Sequence, residues 1–259
     1  MDIKERAKEI ARLRTKAERD VQKHIDEILG KLAKEIAVSS RGITLVSSQS
    51  LFLQIMRLRM YSAIEKSEAE VSAYIKAYAK ASISALGDKD TGATGRLLNS
   101  ELFGKTFTER NHTYMQHFLE DVVNIIIAGR KLKMKQSDVE KAIEAQFKDP
   151  YTNGIINAAN NKGAGIPIPS YGRGIYKSTY GNTVRNAQGT IAIAWAREEY
   201  NKAKRDGAVG FIPHRGSDFP CLTCDSHAGK FYRINEDQEK PLYHARCCCY
   251  VEYVYSLPS

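Results

Sequence analysis

Cysteine is missing from most of this chain, and all five cysteines lie between Cys221 and Cys249. A fold stabilised by disulfides would distribute its cysteines along the sequence, so this clustering indicates a local metal site instead. A chain of 259 residues is long enough to bury a hydrophobic core without cross-links. We therefore expect a metal ion to stabilise one region of the protein and not the whole fold.

Long apolar runs are also missing. The amino terminus, MDIKERAKEIARLR, has no apolar stretch behind its charges and lacks the pattern of a signal or transit peptide. The most apolar stretches, residues 122–128 and 191–196, are much shorter than the roughly 20 residues that a membrane-spanning helix needs. The sequence predicts no membrane span, and it indicates a protein that is made in, and stays in, a reducing cytoplasm.

Charge of one sign is not concentrated in any part of the chain. Lysine and arginine total 39 against 30 aspartate and glutamate residues, which gives a formal net charge of +9. A diffuse positive charge favours loose association with an anionic partner such as DNA, but it is also common on ordinary soluble proteins. It therefore predicts no more than non-specific contact with DNA.

Apolar residues recur at helical spacing through most of the sequence. This periodicity predicts helices over residues 3–37, 51–86, 111–130, 137–148, and from a start between 175 and 183 to 205. Ser137 and Glu140 have the spacing of a capping box at the start of the fourth helix. Residues 251–255 alternate between polar and apolar side chains, which is typical of a strand.

The composition divides the chain into three predicted parts. Residues 151–174 are rich in glycine, proline and asparagine, which predicts a connector or exposed loop. An elongated helical body precedes it over residues 1–150, and a carboxy-terminal domain follows over residues 175–259. The predicted fold class is mainly α, with a small carboxy-terminal α+β zinc-binding module at about residues 211–255.

The cysteines and one histidine have the spacing of a zinc site. Two residues separate the first pair of cysteines, which lets two thiolates reach one ion, and a His-x-x-Cys follows twenty residues later. Three residues of separation place an imidazole and a third thiolate on the same side of a tight turn. The predicted ligands of a structural Zn²⁺ are Cys221, Cys224, His244 and Cys247.

Other interpretations of this cluster remain open. Cys249 is an alternate ligand that could replace His244 or Cys247, whereas Cys248 should point away from the ion in an extended segment. Reduced core thiols or a local disulfide would also account for the cysteines. The surplus of ligands does not favour a catalytic zinc ion, which needs an open position and a general base.

His214 and Asp218 precede the first cysteine pair and are candidates for a supporting role. His214 and Asp218 lie close enough in sequence to orient a metal ligand by a hydrogen bond. No order of serine, cysteine, histidine and aspartate suggests a nucleophile with its base, so the sequence predicts no catalytic residue.

A fixed order of residues runs through the carboxy-terminal region. A helix containing AsnThrValArgAsnAlaGln at 182–188 leads to Asp218, Cys221-x-x-Cys224, Gly229, Pro241-x-x-His244 and the cysteines at 247–249, and a strand follows. In this order and spacing, residues 180–255 resemble the phage head morphogenesis proteins, also called minor capsid or phage Mu protein F-like proteins. The chain departs from that family at Ala245, where proline is usual, and at Cys248, where arginine is usual.

The resemblance implies a structural role in a virion and no enzymatic activity. Members of that family associate in a few copies with the portal and the inner capsid, assist head formation and are linked to DNA packaging or ejection. We therefore expect a phage minor head protein, located inside the head or at its portal, with portal and capsid proteins as partners. The alternative is a zinc-knuckle DNA-binding protein, whose affinity for DNA would fall steeply with salt.

Overall fold

The structure, a computed structural model of the chain, describes residues 2–43, 49–87, 92–101, 104–170, 176–234, 242–243 and 247–256. Over these ranges the chain forms eight helices and three short strands. They are α1 Ile3–Ser39, α2 Gln49–Ala85, α3 Ala93–Asn99, α4 Phe107–Lys131, α5 Gln136–Gln146, α6 Ile155–Asn160, α7 Thr179–Arg205, β1 Gly210–His214, α8 Leu222–His227, β2 Tyr232–Arg233 and β3 Tyr250–Val254. The predicted fold class, mainly α with a small α+β part at the carboxy-terminal end, is confirmed.

The helices predicted from periodicity are present as α1, α2, α4, α5 and α7, with small shifts at their ends. The short helices α3 and α6 have seven and six residues, which is too few for a helical period to show in the sequence. None of the helices in the described ranges combines the length and apolar character that crossing a bilayer requires.

The capping box predicted at Ser137 and Glu140 is wrong. Helix α5 begins at Gln136, and its amino-terminal cap is Lys135, which makes no side-chain capping bond. The Glu140 carboxylate accepts hydrogen bonds from Arg41 and Gln136 instead. The residue pair has the correct spacing, but the helix starts two residues too early for Ser137 to cap it.

A capping box does stabilise the start of α4. The Thr106 hydroxyl accepts a hydrogen bond from the backbone N–H of Glu109 at 3.2 Å, and the Glu109 carboxylate accepts one from the backbone N–H of Thr106 at 2.7 Å. These reciprocal bonds satisfy two backbone donors that a helix otherwise leaves without a partner.

Two compact units divide the chain. The first contains Met1–Gln22, Tyr74–Leu102 and Ala187–Ser259, and the second contains Lys23–Ala73 and Phe103–Asn186. These units differ from the contiguous parts predicted over residues 1–150, 151–174 and 175–259. The reason is that α1, α2 and α7 are long enough to contribute residues to both units.

Part of the predicted connector is a packed element of the second unit. Helix α6 buries Ile155, Ile156 and Ala159 and packs against α4. After the helix, the Asn160 side chain bonds both the backbone N–H and the carbonyl of Ile166. The asparagine that suggested an exposed loop therefore closes a compact turn.

Helix α4 supplies much of the apolar core of the second unit. Phe118 is fully buried, and its ring meets Phe147 edge to face at 6.3 Å. Asp121 is buried in the same helix and accepts hydrogen bonds of 2.7 Å from the Tyr151 hydroxyl and from the backbone N–H of Thr179. Because Thr179 begins α7, this carboxylate satisfies a backbone donor at the start of that helix.

A small antiparallel sheet belongs to the first unit. β1 lies between β2 and β3, and its pairing with β3 runs from Gly210 opposite Val254 to His214 opposite Tyr250. The strand predicted at 251–255 is present one residue earlier. The sheet buries a small cluster with the end of α7, formed by Ala203, Ala208, Phe211, Val251 and Tyr253. Cys249 immediately precedes β3. The sheet therefore fixes one end of residues 247–249, which form the cysteine-bearing segment.

Candidate metal centre

Three buried cysteines meet in the first unit: Cys224 in α8, and Cys247 and Cys249 in the segment before β3. Their sulfur atoms all lie within 4.8 Å of one another, and the Sγ atoms of Cys224 and Cys247 are 3.8 Å apart. Sulfurs bound to zinc at about 2.3 Å in a tetrahedron are separated by about 3.8 Å. The three thiols are therefore close enough to bind one metal ion.

The cysteines do not form disulfides in the described residues, which include all five of them. A disulfide requires sulfur atoms about 2.05 Å apart, well below the separation of Cys224 and Cys247. The fold thus brings these thiols together without oxidation, as a metal site requires.

Local structure determines which cysteines face inward. Cys224 lies on the buried side of α8, while its neighbour Leu222 is 90% exposed. In the extended segment 247–249, successive side chains point in opposite directions. Cys247 and Cys249 are buried and Cys248 is exposed, as this alternation predicts.

The structure brings together two of the four predicted ligands, Cys224 and Cys247, with the alternate ligand Cys249. Cys221 is half-buried and packs against these three residues, but the mutually close sulfurs within the described ranges do not include its own. His244 lies outside the described residues. Coordination by Cys221 or by His244 therefore stays a prediction.

The three buried thiols have different pKa values because they interact with one another. The pKa of Cys247 is lowered to about 5, and the main cause is a hydrogen bond from the Cys249 thiol. Hydrogen bonds from the backbone N–H groups of Cys249 and Tyr243 also lower it. Burial raises the pKa of Cys224 to about 11, and the bond to Cys247 raises the pKa of Cys249. Because Cys224 and Cys249 would be protonated at neutral pH, metal binding by all three would release protons.

Ring contacts join α8 to Tyr243 and to β2. The ring of His227, at the end of α8, stacks on Tyr243 with centroids 4.1 Å apart and planes inclined by 7°. His227 Nδ1 also lies 2.9 Å from the Tyr232 hydroxyl in β2. His227 thus connects α8 to Tyr243 and to β2.

The two candidates for a supporting role lie elsewhere. His214 is in β1, where its Nε2 atom lies 2.7 Å from the Glu252 carboxylate and its ring stacks on Tyr250. These contacts join His214 to the neighbouring strand β3. Within the described residues, neither this hydrogen bond nor this ring contact involves a cysteine. Asp218 is exposed.

Arg215, which the sequence did not single out, connects the loop before Cys221 to α8. Its guanidinium donates to the Asp225 carboxylate and to the carbonyls of Ser217 and Phe219. The next residue, Gly216, packs against the cysteine-bearing segment so closely that a Cβ atom would lie 1.9 Å from the Cys248 carbonyl oxygen. The contacts with the backbone carbonyls of Ser217, Phe219 and Cys248 leave no signal in a residue pattern.

Comparison of the chain with protein-family models, with curated proteins and with solved structures finds no match.

Proposed function

We propose that this protein is a structural phage minor head protein, without enzymatic activity, whose carboxy-terminal part is stabilised by Zn²⁺. Its partners in this role are the portal and the inner capsid, and its location is the phage head. One observation carries the proposal: three buried sulfurs at metal-binding separation come from the motif that resembles the head morphogenesis proteins.

Zinc is the metal that this set of donors favours. Thiolates are soft ligands that select zinc, copper(I) or iron–sulfur clusters, and structural zinc sites are usually closed by four protein ligands. Cys221 or His244 would supply the fourth ligand here. A closed shell has no open position for a water nucleophile, which supports a structural role for the ion.

The small size of the sheet explains why this region would need a metal. Its strands have five, two and five residues, and its buried cluster is limited to a few side chains. A module with so little core gains little from hydrophobic burial, whereas the free energy of metal binding adds directly to its folding free energy.

Metal content measured by mass spectrometry tests the zinc site. We expect one zinc ion per chain in the wild type and none in the double variant Cys221→Ser/Cys224→Ser. Cys248→Ser is the matched control, because it removes an exposed thiol from the same segment, and it should retain zinc. Absence of metal from freshly reduced wild-type protein would reject the zinc site and leave the cysteines as core thiols.

The virion role needs a separate experiment in the phage or prophage that encodes the chain. We expect the protein to be present in purified particles, and we expect Cys224→Ser to reduce the yield of DNA-filled heads while Cys248→Ser does not. A zinc-loaded protein that is absent from purified particles would overturn the head-protein assignment without affecting the metal site.

Direct DNA binding is the competing function, supported by the net charge of +9. Several basic side chains are paired with carboxylates, which reduces their availability to phosphates: Arg41 with Glu140, Arg57 with Glu120, Lys148 with Asp26 and Lys202 with Asp206. We expect at most weak binding to duplex DNA. Tight binding that declines steeply with salt would favour the DNA-binding function.

A further inference from the structure

The guanidinium of Arg14, in α1, contacts the segment that carries two of the buried cysteines. Its Nη2 atom donates to the carbonyl oxygen of Cys249 at 3.1 Å and to that of Cys247 at 3.4 Å. These residues lie 235 and 233 positions away in the sequence. Arg14 is only 5% exposed, and an arginine is rarely buried to this degree without a specific role for its charge.

We propose that Arg14 is a positioning residue of the metal centre. By holding the carbonyls of Cys247 and Cys249, it fixes the backbone from which both sulfurs project toward Cys224. The inference rests on the proposed metal site, but it is independent of the proposed role in a phage head.

Arginine is suited to this position because its planar guanidinium presents several donors in a fixed arrangement. A lysine at residue 14 would present a single ammonium group on a flexible chain. The Glu18 carboxylate lies 3.5 Å from Arg14 Nε, one helical turn along α1, and forms an ion pair with the guanidinium.

Charge provides a second reason for an arginine here. Three thiolates around a divalent cation carry a net negative charge in a buried site, and a nearby guanidinium offsets it. Carboxylates also face Arg14, since Glu18 is on the same helix and Glu199 lies across the cavity that both Arg14 and Glu199 line. These carboxylates share the charge of Arg14, and the hydrogen bonds to the cysteine carbonyls are the contacts that join it to the metal site.

The first turns of α1 lie close to β3, and this packing positions Arg14. Ala7 and Ala11 lie on the same face of the helix, and their small side chains line a cavity of about 20 Å³ with Tyr250 and Val251. That volume is sufficient for roughly one water molecule. The first turns of α1 are thus packed beside β3, and the Arg14 side chain extends from there to the cysteines.

This contact links metal binding to the order of α1. If Arg14 stabilises the metal-bound arrangement, then the metal must stabilise the docked arrangement of Arg14 by the same factor, because coupling between two sites is reciprocal. Removing the ion should loosen residues 2–22, although none of them is a ligand.

Zinc affinity measured by competition with a chromophoric chelator tests the proposal. Loss of a residue that supports a metal ligand typically weakens metal binding 10–100-fold, so we expect Arg14→Ala to lower the affinity at least tenfold. Arg14→Lys should recover part of it. Arg12→Ala removes the same charge from an exposed position on the same helix and should leave the affinity unchanged.

The absorption spectrum of the Co²⁺-substituted protein adds a readout that a general loss of stability would not produce. We expect Arg14→Ala to alter the ligand-field bands of bound Co²⁺, and Arg12→Ala to preserve them. Wild-type affinity and an unchanged spectrum in Arg14→Ala would overturn the role of Arg14 alone. Failure of the wild type to bind either metal would overturn this role and the metal site together.

A measurement on the unmodified protein covers the case in which Arg14→Ala does not fold. We expect a zinc chelator to accelerate amide hydrogen exchange in residues 2–22 and to leave exchange in α4 unchanged. Equal exchange of residues 2–22 before and after zinc removal would contradict the proposal.

Discussion

The second unit and the cysteine-bearing part of the first unit differ in the length of their elements and in the number of side chains that those elements bury. Helix α4 in the second unit has 25 residues, of which thirteen are buried, so a single element contributes a large share of an apolar core. Helix α8 in the first unit has six residues, and the buried one is Cys224. Long amphipathic elements can be stabilised by hydrophobic burial, whereas short elements need a further source of stability, which the proposed metal site would supply.

Cys224→Ser should have the largest effect, and the effect should be confined to the cysteine-bearing part of the first unit. We expect loss of the metal and disorder of β1 and β3, because metal binding to small structural zinc modules contributes on the order of 10 kcal/mol. In a ¹H–¹⁵N spectrum, the amide signals of β1 and β3 should lose dispersion while those of α4 remain in place. Well-dispersed sheet signals in Cys224→Ser would show that the module folds without the ion.

Phe118→Ala should produce the opposite pattern. Phe118 is fully buried in the second unit, and truncation of a buried phenylalanine costs about 3–5 kcal/mol. We expect this loss in the denaturant-measured free energy of unfolding of the second unit, with zinc content unchanged. The same substitution at Phe219, which is 83% exposed, should change stability by less than about 0.5 kcal/mol. Loss of zinc from Phe118→Ala would mean that the two modes of stabilisation are not separate.

The buried carboxyl of Asp121 should give the second unit a pH dependence of its own. Burial is the largest effect and raises the pKa of Asp121 to about 6, although hydrogen bonds from Thr179 and Tyr151 oppose it. The folded state therefore binds this proton more tightly than the unfolded state does. The resulting stabilisation is fully present below pH 4 and is lost as pH rises through 6, by about 3 kcal/mol in total.

The difference between the wild type and Asp121→Asn isolates this effect. We expect the free energy of unfolding of Asp121→Asn to lack the decline between pH 4 and pH 7, since an amide does not titrate. The variant also loses one acceptor for its two hydrogen bonds, but that loss is constant with pH. Parallel pH profiles for the two proteins would contradict the raised pKa.

The smallest expected effect is at the start of α4. Thr106→Ala removes the capping hydroxyl and should destabilise the second unit by about 1 kcal/mol. Ser137→Ala tests the cap that the sequence suggested and α5 does not use, so thermal unfolding should show no loss of stability. Equal destabilisation by the two substitutions would contradict the assigned helix starts.

The sequence predicts those features of the fold that a short window of residues determines. The periodicity of α1, α2, α4 and α7 is visible because each helix is long and one face is apolar. The alternation of residues 247–249 predicts the exposure of Cys248 for a similar reason. The meeting of Cys224 with Cys247 follows from the spacing of the motif.

Other features depend on contacts between residues that are distant in sequence. Arg14 reaches carbonyls more than two hundred positions away, and nothing in the neighbourhood of residue 14 distinguishes it from Arg12. His214 bonds Glu252 because of the register between β1 and β3, which the sequence does not specify. The compact units also could not be read from composition, because long helices serve both of them.

The outward orientation of Cys248 gives the module a built-in attachment point. In the presence of a tightly bound ion, metal-bound sulfurs react slowly with alkylating reagents, and Cys248 would be the thiol that a maleimide reaches first. A gold cluster or fluorophore attached to Cys248 would mark the exposed side of the cysteine-bearing segment without replacing any buried side chain. In a test of the proposed head-protein role, electron micrographs of purified particles that contain the label would show where this region of the protein lies.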